Sequence, residues 1–143
     1  MELVEQFVDA ARFGELGTLQ QMVQQGFNVD LKDEFGTTAL HNASANGHLD
    51  CVQFLINSGS HLIPNDSGNT PLHRAVLLQQ IDVVKMILNK MSDVDVLQKN
   101  MFGQSAVDIA FQTGNESIID ILLSHDSAKA LEESVGYTEN EEA

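Results

Sequence analysis

Residues 36–43 read Gly-Thr-Thr-Ala-Leu-His-Asn-Ala, and residues 68–75 read Gly-Asn-Thr-Pro-Leu-His-Arg-Ala, 32 positions later. A weaker version, Gly-Gln-Ser-Ala-Val-Asp-Ile-Ala, begins at Gly103 after an interval of 35, so the added length falls between Lys90 and Asn100. An upstream copy lacks this opening, but a shift of 33 positions aligns Ala43, Gly47, Val52, Leu55 and Gly59 with Ala10, Gly14, Leu19, Met22 and Gly26. Four copies at this period predict a stack of repeated structural units.

Each copy contains two short stretches with apolar residues at helical spacing. In the second copy, Leu40 and Ala43 lie on one predicted helix, which Gly47 ends. Val52 and Leu55 lie on the helix that follows. The pattern therefore predicts two helices per unit, and because neither is long enough to be stable alone, the units must stack to form a core.

The start of the first helix is marked by residue types suited to that place. Thr38 and Thr70 supply an N-cap hydroxyl, and Pro71 follows at the first helical position, where a missing N–H has no consequence. Small residues, Ala10, Ala43, Ala75 and Ala110, allow neighbouring first helices to approach closely. The runs between units carry Gly, Asn, Asp and one Pro, which is typical of projecting turns.

These residues resemble the ankyrin repeat family, whose pattern is Asp-x-x-Gly-x-Thr-Pro-Leu-His-x-Ala, then Gly-His, an apolar helix and a Gly. The resemblance implies an all-α solenoid of about four helix-turn-helix units with projecting turns, capped at both ends. It covers residues 1–125, with repeats at about 1–32, 33–64, 65–99 and 100–125. The residues that carry the structural motif are Thr38, His41, Gly47, Thr70, Pro71, His73, Gly103 and Gly114.

Two departures from the family pattern have local consequences. Gln79 and Gln80 stand where Gly-His is expected, so the turn there either holds a non-Gly residue in the left-handed region or bends differently. Asp108 replaces the motif histidine in the last copy, and its carboxylate can still accept hydrogen bonds near a helix start. Residues 126–135 are predicted to form a short capping helix, and residues 136–143 a disordered acidic tail.

Charge and composition restrict the class of partner. The chain has 21 acidic and 7 basic residues, a formal net charge of −14. The Lys and Arg side chains are scattered singly, which argues against nucleic acid as a partner. The acidic residues either keep a small protein soluble or match a basic segment of a protein partner.

The expected setting is the cytoplasm, the nucleus or both. No apolar run approaches the roughly 20 residues that cross a bilayer, and the N-terminus lacks a basic region before its apolar residues. The single cysteine, Cys51, cannot form an internal disulfide and is expected to be a reduced, part-buried thiol. We therefore expect no membrane partner, and we expect a monomer.

The sequence predicts no catalytic residue, metal site or cofactor. In the family pattern His41 and His73 bridge a Thr hydroxyl and the backbone of the adjoining turn, and His48 bonds a neighbouring loop. His61 and His125 lie near the ends of outer helices, and no partner is predicted for either. Asp93 and Asp95 form the nearest carboxylate pair, but they lie in a long loop. No phosphate loop, dinucleotide fingerprint or nucleophile elbow is present, so we expect no enzymatic activity.

The resemblance implies that turn tips and the solvent side of each first helix form a concave binding surface. The candidate contact residues, carried over by position, are Arg12, Phe13, Glu34, Phe35, Asp66, Ser67, Leu77, Leu78, Met101, Phe102 and Gln112. We call their apolar members, Phe13, Phe35, Leu77, Leu78, Met101 and Phe102, the apolar track. Exposed aromatics among carboxylates suit a segment that is both hydrophobic and basic. In the alternative, Phe35 and Phe102 fold back onto neighbouring turns, and Leu77 and Leu78 pack under the loop after Lys90.

The leading function is a non-enzymatic adaptor or chaperone-like module that binds a polypeptide through its concave face. The alternative is an N-terminal regulatory or targeting domain of a larger enzyme, such as a methyltransferase or kinase. A small-ligand site is weaker still, because it needs a deep apolar pocket that flat repeat faces seldom provide.

Overall fold

The computed structural model describes residues 2–92 and 94–126 of the 143-residue chain. Within these residues the structure is helical and contains no strand. The helices are α1 (Glu2–Arg12), α2 (Leu16–Gln24), α3 (Ala39–Ala45), α4 (Leu49–Asn57), α5 (Pro71–Leu77), α6 (Ile81–Lys90), α7 (Ala106–Thr113) and α8 (residues 116–126). This is the predicted solenoid of helix pairs joined by projecting turns.

The helices form two layers. The first helices of the pairs, α1, α3, α5 and α7, pack side by side, and the second helices α2, α4 and α6 pack in a parallel row behind them. The small residues that allow this approach are all buried: Ala10, Ala43, Ala75 and Ala110. Between the layers lies one continuous core, to which Leu40, Leu55, Leu72, Ile87 and Leu122 contribute fully buried side chains. Each such burial stabilises the fold by about 1.5–3 kcal/mol.

The first helices of the last three pairs begin with the same reciprocal cap. At α3 the Thr38 N–H donates to Nδ1 of His41 at 3.1 Å, and the His41 N–H donates to the Thr38 hydroxyl at 3.4 Å. Thr70 and His73 repeat this arrangement at α5. Such a cap satisfies two of the backbone donors that a helix start leaves without partners.

Asp108 keeps the same cap at α7 without a histidine. Its Oδ2 accepts a hydrogen bond from the Ser105 N–H at 2.9 Å, and its own N–H donates to the Ser105 hydroxyl at 3.1 Å. These hydrogen bonds to Ser105 lower the pKa of the exposed Asp108 carboxyl. The substitution therefore preserves the start of the helix, as the sequence indicates.

The added length of the third repeat lies in its second helix and in the connection to the next tip. Helix α6 has ten residues against nine in α4, and the remaining added residues lie in the connection that follows. Val94 and Val96 of this connection are buried in the core. The added length is therefore anchored by packing, and the next tip resumes the regular arrangement at Asn100.

Gln79 adopts the left-handed backbone conformation, the first of the two possibilities that the sequence leaves open. It is the only non-glycine residue with positive φ in the described part of the chain, at 58°. Its equivalents in the other turns, Gly14, Gly47 and Gly114, have φ values of 71–74°. A side chain in this region costs roughly 1 kcal/mol relative to glycine.

Replacement of this residue by glycine should therefore stabilise the fold. We expect Gln79→Gly to raise the free energy of unfolding by roughly 1 kcal/mol, measured by urea denaturation. Gln79→Ala is the matched control, because it removes the exposed hydrogen bond from Asn115 but keeps a Cβ at positive φ. An equal gain from alanine would show that backbone strain is not the cause.

Candidate protein-interaction surface

The three tips of the projecting turns share one hydrogen-bonded frame. Oδ1 of Asp33 accepts from the N–H groups of Phe35 and Thr37, at 2.9 and 3.0 Å. Asn65 and Asn100 accept from the N–H groups two and four positions further along in the same way. Each turn is also closed by two backbone bonds, such as Asp33 N–H to Thr37 carbonyl at 3.0 Å and Gly36 N–H to Asp33 carbonyl at 3.1 Å. A side-chain oxygen at the turn start therefore holds each tip.

Neighbouring tips are joined to each other. The Asp66 N–H donates to the Phe35 carbonyl at 3.1 Å, and the Met101 N–H donates to the Ser67 carbonyl at 3.0 Å. Nδ2 of Asn100 donates to Oδ1 of its neighbour Asn69 at 2.8 Å. The tips consequently form one continuous row across the stack.

The apolar track is exposed along this surface. Phe35 is 63% exposed, Met101 75% and Phe102 74%, although nothing in the turn frame requires an apolar side chain there. Phe13 is also exposed, and Leu77 and Leu78 at the end of α5 are about half exposed, at 51% and 48%. These exposures contradict the alternative in which the aromatic rings fold back and the two leucines are packed away.

The structure brings part of the predicted contact set together. Arg12, Glu34 and Phe35 line one concavity of about 480 Å³ between α1, α3 and the first tip. The Arg12 guanidinium lies 5.9 Å from the centre of the Phe13 ring. At the other end, Gln112 accepts a hydrogen bond from Gln104 of the third tip at 3.0 Å. Asp66 is exposed and Ser67 half-buried on the middle tip.

Some exposed residues of this region were missed from sequence. Glu5 and Asp9 line the same concavity, but the first copy lacks the opening motif that would have marked them. The 33-residue shift aligns Asp9 with Asn42, and this alignment was the sequence signal that could have placed Asp9 on the surface. Phe111 is 58% exposed, whereas its equivalents Ser44 and Val76 are buried in repeats that have a following unit. No following unit exists in the described residues, so its ring remains exposed.

The buried histidines connect one repeat to the next. Because Nδ1 of His41 accepts from Thr38, its proton lies on Nε2, which donates to the Asn69 carbonyl at 2.7 Å. His73 reaches the carbonyls of Gln98 and Gln104 in the same way, at 3.0 and 3.2 Å. Burial lowers the pKa of His41 to about 4 and also lowers the pKa of His73. Both rings therefore act as neutral structural donors.

The residue that opens the second helix of a repeat, just after the turn at Gly47 or Gln79, also bonds the preceding repeat through its side chain. Nε2 of His48 donates to the Arg12 carbonyl at 2.9 Å. In the next repeat Nε2 of Gln80 donates to the Ala45 carbonyl at 3.1 Å, so glutamine takes over this connection. The sequence predicted no partner for His61, and this prediction is wrong. Its Nδ1 lies 2.6 Å from Oδ2 of Asp30.

Cys51 is more deeply buried than its sequence position suggested. The prediction of a part-buried thiol is wrong, because the residue has no exposed surface and faces the core from α4. Burial, together with neighbouring Asp50, raises the pKa of the Cys51 thiol to about 12. A thiol that stays protonated and covered is a poor nucleophile.

The described residues contain no convergence of three metal-ligating side chains. Asp93 lies outside them, while Asp95 uses its Oδ1 to accept a hydrogen bond from the Leu97 N–H at 2.9 Å. Residues 127–143, which include the predicted acidic tail and all but the first residue of the predicted capping helix, also lie outside the described residues. Over the same part of the chain, no helix has both the length and the apolar character needed to cross a bilayer.

The sequence that forms this row of turn tips and layer of first helices matches a known family of proteins. The family model for ankyrin repeats, in three copies, matches residues 7–100. The chain therefore belongs to the ankyrin repeat family. Ankyrin repeats generally mediate protein–protein interaction, and the family is in general a non-enzymatic interaction module.

Relatives share this assignment over most of the chain. An ankyrin repeat protein of Rickettsia felis is 32% identical over 113 residues, which are 78% of this chain and 37% of the relative. An ankyrin repeat protein of fowlpox virus is 32% identical over 121 residues, which are 81% of this chain and 36% of the relative. The ankyrin repeat protein nuc-2 of Neurospora crassa is 28% identical over 130 residues, which are 89% of this chain and 12% of the relative. The chain thus spans little more than a third of the first two relatives.

Proposed function

We propose that this protein binds a polypeptide segment through its tips and concave face, as an adaptor or chaperone-like module without enzymatic activity. The observation that carries the proposal is the apolar track. Its three members on the turn tips, Phe35, Met101 and Phe102, are each more than 60% exposed. Exposed aromatic and methionine side chains are the anchors that protein interfaces favour.

The charge of the chain supports a partner with a basic segment. A net charge of −14 is spread over a small protein, and Glu34 and Asp66 are exposed on the tips beside the apolar track. Such a surface attracts a basic segment during diffusional encounter and disfavours acidic partners and nucleic acid. Its binding would weaken as salt screens the charges.

The cytoplasm or the nucleus is the compartment we propose for this interaction. Cys51 is a free thiol inside the core, and it has no second cysteine in the chain with which to pair. A reducing compartment suits such a residue. We further propose that the protein acts as a monomer, because two copies with net charge −14 repel each other.

A second candidate is a regulatory or targeting domain within a larger protein, such as a methyltransferase or kinase. It is favoured by the coverage of the relatives, since the chain spans 37%, 36% and 12% of the three described above. In that case the same surface would hold a substrate or a regulatory segment close to another domain. Immunoblotting of the native cell for the size of the protein that contains residues 1–143 separates the two candidates.

Removal of two aromatic side chains from the tips tests the proposed function. We expect Phe35→Ala with Phe102→Ala to lower the affinity for captured partner proteins at least ~10-fold, because each ring is a candidate hot spot. Both rings are largely exposed, so melting followed by circular dichroism should not change. The measurement is affinity capture from the native cell with mass spectrometry, followed by titration of the proteins that are enriched.

The matched control removes two apolar side chains of similar exposure away from the tips. Leu3 on α1 and Leu97 in the long connection are 60% and 51% exposed. Leu3→Ala with Leu97→Ala should leave capture unchanged. The proposed function is wrong if the tip variant captures the same proteins at the same affinity as the unmodified chain.

A further inference from the structure

We propose that the binding surface has a direction: the concavity of the first two repeats receives an arginine or lysine of the partner, while apolar side chains of the same segment contact the last two repeats. This inference rests on the proposed function and specifies the chemistry of the segment bound. Its starting point is the unequal distribution of charge and apolar surface along the row of tips.

The concavity between α1, α3 and the first tip combines negative charge with an aromatic wall. We call it the acidic concavity, and its volume is about 480 Å³. Glu5 and Asp9 line it from α1, and Glu34 lines it from the tip. Phe35 lines it as well, with its ring 63% exposed. A cation held there would be attracted both by carboxylates and by the face of a ring.

The positive groups already present do not neutralise this concavity. Its lining contains four carboxylates, including Asp33, against the two guanidinium groups of Arg12 and Arg74. Asp33 already accepts two backbone hydrogen bonds. In the described residues, neither arginine forms an ion pair with any of these carboxylates. The Arg12 guanidinium lies against the Phe13 ring, at 5.9 Å from its centre. A net negative charge of two is therefore left for a partner.

Beyond Asp66 on the middle tip, the contact positions of the third and fourth repeats carry no charge. Leu77 ends α5 and Leu78 follows it, and Met101 and Phe102 lie on the third tip. Gln104 and Gln112 are neutral and bonded to each other. The surface beyond the middle tip therefore offers apolar area and neutral amides at its contact positions, and a buried unpaired charge is costly. The basic end of a bound segment is therefore directed to the first half.

The hydrogen-bonded row of tips makes a single segment able to reach both halves. The tip that begins at Asp33 is bonded to the next through Asp66, and that tip to the third through Met101. The tip that lines the acidic concavity and the apolar third tip thus belong to one row of bonded turns. A segment lying along the row thus meets carboxylates and Phe35 first, and Met101 with Phe102 last.

The test uses a synthetic peptide with two arginines at one end and two leucines at the other, separated by a Gly-Ser spacer. A spin label on the arginine end should broaden amide signals of residues 33–36, and a label on the leucine end those of residues 101–104. Equal broadening of both regions by either label overturns the direction, and so does the reverse pattern.

Charge variants then test the acidic concavity itself. Glu5→Gln with Asp9→Asn should weaken the peptide at least ~10-fold at low salt, because paired charges at an interface contribute strongly. A peptide in which neutral citrulline replaces both arginines should bind the variant and the unmodified protein equally. Asp82→Asn with Asp120→Asn, on the outer helices, removes the same charge elsewhere and should have little effect.

The two proposals fail in different ways. If the concavity variant binds the arginine peptide as tightly as the unmodified protein does, the inference is wrong but the proposed function stands. If the Phe35→Ala, Phe102→Ala variant captures every partner unchanged, the proposed function itself is wrong. A peptide that fails to bind at any salt concentration overturns the inference.

Discussion

Gly68→Ala is expected to lower the free energy of unfolding by about 3 kcal/mol, which is a large share of the stability of a small domain. Gly68 lies on the middle tip with φ at +79°. A Cβ there would meet the backbone N of Met101 at 2.8 Å and Cα of Asn100 at 3.0 Å. Because both contacts are backbone atoms of the next tip, the two turns must separate, and the bond from Met101 to Ser67 is lost with them. Urea denaturation measures the loss.

The same substitution one repeat later provides the control. Gly103 has nearly the same φ, +74°, but nothing lies within 4 Å of a Cβ built there. Gly103→Ala should therefore show only the cost of the left-handed backbone, about 1 kcal/mol. If both variants lose the same stability, contact between neighbouring tips does not contribute to the fold as the geometry indicates.

Acid should destabilise the protein through His41. Its pKa is lowered from 6.5 to about 4 in the folded state, chiefly by burial. Above pH 6.5 the ring is neutral in both states and contributes no pH dependence. Below that, the unfolded chain binds a proton that the folded ring does not, so the free energy of unfolding falls until the pH reaches about 4. At about pH 5 this loss is about 2 kcal/mol, and His73 shifts it in the same direction.

Two measurements isolate this effect from the carboxylates. The ring signals of His41 in the folded protein, followed by NMR, should remain those of neutral imidazole at about pH 5. Comparison with His41→Gln removes the contribution of this ring, so the variant should lose less stability between neutral pH and pH 5. Titration of the folded His41 ring near its ordinary pKa would contradict the prediction.

Much of the fold could be predicted because it depends on local backbone chemistry. Thr38 and Pro71 mark helix starts in any context, and the glycines at equivalent positions made a left-handed turn at Gln79 one of two possibilities. Asp108 could be recognised as a substitute cap because a carboxylate accepts the same N–H as a histidine nitrogen. Each of these inferences needs only the repeat register and the properties of one residue.

Properties that depend on neighbouring repeats were harder to predict. The complete burial of Cys51 comes from packing between layers, which its exposed neighbour Asp50 does not reveal. Glu5 and Asp9 join the surface of the first tip only because α1 and α3 pack side by side. Gln80 takes the place of a histidine through the reach of its side chain. The repeat boundaries and the contact residues of the surface stay predictions.

The way in which Asp33, Asn65 and Asn100 hold the three tips has a consequence for how such a surface changes over time. Each accepts hydrogen bonds only from backbone N–H groups of its turn. Every amino acid except proline supplies that group, so the side chains at positions 35, 67 and 102 can be exchanged without loss of the frame. Recognition in this protein is therefore open to alteration one substitution at a time, by natural variation or by design, while the helices beneath remain as they are.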